Sequence, residues 1–197
     1  MDMRPDRSLD GASDEALLAR YGAGESAAAR VLAERLVPRL LAVATRMLGG
    51  DRAEAEDVAQ ETMLRLWRQA PAWRPGAAQV STWAYRVAAN LVTDRLRRRG
   101  RAPGLDAAGD PPDGAAPAWE RMAEAERLAA LDAALGGLPE RQRQAVVLRH
   151  IEGLSNPEIA EIMEVGVEAV ESLTARGKRA LAAALAGRRE ELGYDDV

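Results

Sequence analysis

The chain has no cysteine and no phenylalanine, one histidine (His150) and, among 27 basic residues, one lysine (Lys178). Without cysteine there is no disulfide, no thiolate zinc site and no thiol redox sensing, so any redox or metal signal has to arrive through a partner. One histidine with no glutamate three residues before it does not make a metal site, and His150 reads as a structural or surface residue. A Ser-His-Asp arrangement, a Walker loop and a dinucleotide glycine pattern are also missing, so no cofactor and no catalysis are expected of the chain itself. No apolar run is long enough to span a bilayer, and the acidic start Met1-Asp2-Met3-Arg4-Pro5-Asp6 lacks the layout of a secretion signal. The expectation is a soluble, cytoplasmic protein without membrane insertion.

What is present is helical punctuation. No segment reads as a strand. Helices are expected from Asp14 to Tyr21, from Ser26 to Leu48 with Pro38 as a possible kink, from Asp51 to Gln69, and from about Ser81 to the arginines near residue 99. Asp51 and Glu54 have capping spacing, which marks the third start well. Residues 100–118 hold four Pro, four Gly and three Asp and cannot bury a core, so they form a linker. Further helices are expected from Trp119 to Leu135 and from Leu138-Pro139-Glu140 to about Ile151. The fold class is therefore all-α: two small helical domains, 14–100 and 119–186, joined by a flexible linker at 101–118. With no Phe, their cores rest on Leu, Val, Ala and Trp, and neither is expected to be very stable alone.

The second domain contains a helix-turn-helix over 154–170 and beyond. Ser155 and Glu158 have the spacing of a capping box, and Pro157 falls in the first turn, where its missing N–H is not needed. Ile159, Ala160 and Met163 form the buried side of one short helix, Glu164 to Gly166 turn the chain, and Val167, Val170 and Leu173 begin the apolar stripe of the next. In this motif the second helix enters the major groove. Its polar face offers Glu168, Glu171, Ser172, Ala175, Lys178 and Arg179, with Arg176 on the flank.

The net charge of −4 is unevenly divided. Residues 1–100 carry 16 basic and 13 acidic side chains; residues 101–197 carry 11 and 18. From Arg86 to Arg101 there are six Arg and one Asp, the strongest phosphate footprint in the chain. On the third helix Glu54, Asp57, Glu61, Arg65 and Arg68 share one face, opposite Ala55, Val58, Ala59, Thr62 and Leu66. On the fourth, Arg86, Asn90, Asp94 and Arg97 form a polar face that leads into Arg95, Arg97, Arg98, Arg99 and Arg101. Those arginines suit phosphates of any sequence, whereas Asn90 and Arg86 suit base edges. Trp83 and Tyr85 suit either stacking on an unpaired base or packing in the core.

Three motifs in register resemble the extracytoplasmic-function class of bacterial sigma factors, which keeps only sigma regions 2 and 4. They are Ala55-Glu56-Asp57-Val58-Ala59-Gln60-Glu61-Thr62 with Leu66-Trp67, the stretch from Ser81-Thr82-Trp83 to Arg97-Arg98-Arg99, and Leu138-Pro139-Glu140-Arg141-Gln142-Arg143 leading into the helix-turn-helix. The resemblance implies a factor that binds core RNA polymerase at the clamp coiled coil and the flap. It places Asp57, Gln60, Glu61 and Arg65 at the clamp, the fourth helix at the −10 element of promoter DNA, the helix-turn-helix at the −35 element, and an anti-sigma factor as a further partner. Glu171 and Leu173 depart from the pattern, because relatives often carry basic residues there. Two rivals follow from the residues: a regulator that binds an operator without polymerase, and a sigma mimic that only sequesters an anti-sigma factor.

Overall fold

A computed structural model describes residues 9, 11–74, 76, 79–99 and 118–186, and in 118–125 the backbone alone. The expected linker at 101–118 falls almost wholly outside these residues. Four helices build the first half: α1 (Asp14–Gly22), α2 (Ser26–Met47), α3 (Arg52–Gln69) and α4 (Val80–Arg99). The second half has α5 (Ala118–Gly136), α6 (Glu140–Val146) running into a π turn (Val147–Ile151), α7 (Asn156–Met163) and α8 (Val167–Ala186). Among the described residues there is no strand.

Local chemistry explains most boundaries. Ser13 accepts the Ala16 N–H and starts α1; Asp51 accepts the Glu54 N–H at 3.0 Å and starts α3. Helix α2 continues through Pro38. Helix α4 starts at Val80, one residue before Ser81, and the Val80 N–H is taken 3.2 Å away by the Glu15 carboxylate of α1. This cap lies 65 residues away in sequence, so no local pattern announces it.

In the first half, α2 packs against α1, α3 and α4 through Leu32, Leu36, Leu40, Val43, Met47, Val58, Leu66, Ala84, Ala88 and Val92, all buried. In the second half, α8 lies across α6 and α7. The close approach is made by Gly177: a Cβ there would sit 2.6 Å from Cγ2 of Val146 and 3.1 Å from the Gln142 carbonyl. Val170 and Leu173 face this core as expected, but Val167, the first residue of α8, is exposed.

The two halves touch. Their buried side chains form one continuous apolar cluster, with α4 against α7 and α2 against α5, α6 and the π turn. The two small helical domains share this cluster where α4 meets α7.

Candidate polymerase and promoter surfaces

The buried side of α3 is the expected one, with Ala55, Val58, Ala59, Thr62 and Leu66 all inside. The opposite face is open. Asp57, Gln60, Glu61 and Arg65 line a single groove of about 740 Å³ between α3 and α4, with Glu61 and Arg65 paired at 2.8 Å. Leu64 also lines it, 42 % exposed. The spacing along α3 does not single out Leu64, because one leucine among charged neighbours carries no pattern of its own.

The far wall of the groove is the arginine end of α4, and here the arginines divide. Arg99 bonds Asp51 and lies 3.0 Å from Glu54, and Arg95 lies 3.6 Å from Glu54. These two tie α4 to the start of α3. Burial alone would raise the Asp51 carboxyl, but the Glu54 N–H and the Arg99 guanidinium outweigh it and hold the group below its ordinary value. Arg97 and Arg98 are exposed, with Arg97 only loosely near Asp94 at 3.7 Å. Arg101 lies outside the described residues.

Upstream on α4, Trp83 is half-buried edge-on to Trp73, with ring centres 6.1 Å apart, while Asn90 is exposed. Tyr85 is 4 % exposed, and its hydroxyl donates to the Glu152 carboxylate. Burial first, and the neighbouring Glu152 second, push its phenol pKa well up. Arg86 is half-buried and reaches Glu161 at 2.5 Å. Of the two alternatives for Tyr85 the structure gives packing: the ring is buried, with its hydroxyl on Glu152 of the second half.

The helix-turn-helix carries its capping box in full. Glu158 accepts the Ser155 hydroxyl at 2.6 Å and the Ser155 N–H at 2.8 Å, and these two bonds, the hydroxyl's first, hold its carboxyl below the usual pKa, while the Glu158 N–H approaches Ser155 Oγ. Glu164 adopts φ 54° to turn the chain. On α8, Glu168, Glu171, Ser172, Ala175, Arg176, Lys178 and Arg179 are all exposed, on the face turned away from α6 and α7. Asn156 donates to Glu171 at 3.4 Å across the first turns of α7 and α8. Proximity of the Lys178 and Arg149 charges, after burial, lowers the His150 pKa.

Residues 32–102 match the model of sigma-70 region 2, and residues 128–181 match that of sigma-70 region 4. The ECF RNA polymerase sigma factor SigM of Mycobacterium tuberculosis is 35 % identical over 170 residues, covering 86 % of this chain and 83 % of that one. The chain belongs to the ECF RNA polymerase sigma factors. SigE of Mycolicibacterium smegmatis is 38 % identical over 147 residues, 73 % of this sigma factor but only 56 % of that longer protein. The solved structure of CnrH in complex with the cytosolic domain of CnrY has a TM-score of 0.63 at 28 % identity, covering 88 % of this chain and 97 % of CnrH. This chain is accordingly a transcription initiation factor that holds sigma regions 2 and 4. No helix among its described residues is long and apolar enough to cross a membrane.

Proposed function

We propose that this sigma factor acts in the cytoplasm, without catalysis of its own, by carrying core RNA polymerase to promoters. Asp57, Gln60, Glu61 and Arg65, with Leu64 among them, dock on the clamp coiled coil, and region 4 meets the flap. Helix α4 captures the −10 element as melted strand: Arg97 and Arg98 take phosphates with Arg95 and Arg99 behind them, Asn90 and Arg86 meet base edges, and Trp83 stacks. Melting needs no ATP if a captured base offsets the stacking it loses. Helix α8 enters the major groove of the −35 element with Glu168, Glu171, Ser172, Ala175, Arg176, Lys178 and Arg179. With Glu171 among them, phosphate attraction is weak here, and a carboxylate suits the amino group of cytosine. An anti-sigma factor holds the protein idle.

The observation that carries this reading is the presence of both family regions in one chain, each with an exposed polar helix face. Co-purification with core RNA polymerase tests it. The protein is expected to bind the core enzyme, and Leu64→Glu is expected to weaken that binding about tenfold or more, as for a central apolar contact. Failure of the unaltered chain to bind core enzyme would end the reading.

A further inference from the structure

The function proposed above leaves the one histidine of the chain, His150, without a task. It stands in the π turn between α6 and α7, where the Glu152 N–H reaches the Val147 carbonyl at 3.1 Å and the Leu154 N–H reaches the Leu148 carbonyl at 3.0 Å. This wide turn buries Val147 and Leu148 and leaves the next two side chains, Arg149 and His150, exposed. Arg149 is anchored, because its guanidinium donates to the Leu154 carbonyl at 2.8 Å, just before the Ser155 cap of α7. Lys178 arrives from α8. Gly177 lets that helix press on Val146 and Gln142, and His150 follows Val146 by four residues, so the exposed Lys178 acts directly on the imidazole.

Three cations from two elements thus meet in the half of the chain that is otherwise acidic. The charges that act on His150, Lys178 before Arg149, are both positive. The carboxylates of the π turn and of the elements packed on it are engaged elsewhere: Glu152 with Tyr85, Glu158 with Ser155, Glu161 with Arg86, and Glu140 near Gln144 at 3.5 Å. The nearby guanidinium groups also point away, Arg46 toward Asp132 and Arg143 to the Gly136 carbonyl. A cluster of one sign repels itself, and an anion from outside relieves it.

We propose that Arg149, His150 and Lys178 form a phosphate-holding corner beside the reading helix, and that the −35 duplex is gripped there through a protonated His150. The proposal rests on the seat of α8 in the major groove given above. Lys178 lies seven residues beyond Glu171, about 10 Å along the axis, so with Glu171 over base edges the corner meets the sugar-phosphate wall of a groove about 12 Å wide. The attraction that Glu171 denies the reading face is supplied from the turn before α7. In the free chain burial, Lys178 and Arg149 hold the imidazole below its ordinary pKa, so at pH 7 it is mostly neutral. A phosphate among the three groups reverses the local field and favours the imidazolium. Binding therefore takes up a proton, and affinity falls as the pH rises through the value of the bound state.

A single histidine makes the test direct. In the free full chain, the one imidazole signal followed by NMR is expected to titrate below about pH 6.5. Holoenzyme assembled with core RNA polymerase is expected to bind a duplex carrying the −35 side of one of its own promoters about three- to tenfold more tightly at pH 6 than at pH 8. With His150→Gln that difference is expected to vanish, and with His150→Arg the tight binding is expected at both pH values, which a merely structural histidine would not produce. Every variant is compared on the same core enzyme, so titrations of the polymerase cancel. Lys178→Gln is expected to lower the slope of log affinity against log salt by about 0.9. A pH dependence that survives His150→Gln, or His150→Arg binding no better than His150→Gln at pH 8, would overturn the corner while leaving promoter binding intact. Holoenzyme that binds no promoter duplex at all would instead defeat the functional reading.

Discussion

Ser155 and Glu158 satisfy each other across the first turn of α7 and so set the angle at which the helix-turn-helix leaves the π turn. Ser155→Ala is expected to destabilise the protein by about 1 kcal/mol, read by chemical denaturation. Because the Glu158 and Asp51 carboxyls are both held below their ordinary values, their stabilisation is present at neutral pH and is lost as the pH falls through those lowered values. Stability should thus decline between about pH 5 and pH 2, and less steeply in Ser155→Ala, in urea melts across that range. Gly177 was not visible as a packing residue, since a lone glycine in a helical pattern announces nothing about what crosses it. Gly177→Ala, which sets a methyl against Val146 and Gln142, is expected to cost about 1–3 kcal/mol through overpacking.

At the scale of the element, the division of the arginines on α4 separates two tasks that the sequence presents as one run. Arg99→Ala should lower the melting temperature, because it takes the guanidinium from Asp51 and leaves Glu54 with Arg95 alone. Arg97→Ala with Arg98→Ala should leave the melting temperature alone and reduce the slope of log affinity against log salt for single-stranded DNA by about 1.4. Periodicity sufficed for the helices themselves, for the buried side of α3 and for the open face of α8, because each follows from spacing within one helix. It did not suffice for the cap at Val80, the pairing of Arg95 and Arg99 with α3, or the burial of Tyr85. Each of these depends on a residue many turns away, and no local pattern encodes it.

For the whole molecule, one apolar cluster running through both halves implies coupling. The two regions should unfold in a single transition, and differential scanning calorimetry is expected to show one peak. In region 2 the proposed docking face of α3 and the arginine end of α4 form the two walls of one groove.

The most direct test of the central claim is reconstituted transcription, with this protein and core RNA polymerase on a library of promoter-bearing genomic fragments. The account predicts transcripts that start at discrete positions, depend on the protein, and vanish when Arg97 and Arg98 are both changed to alanine. Starts that are the same with and without the protein would contradict it.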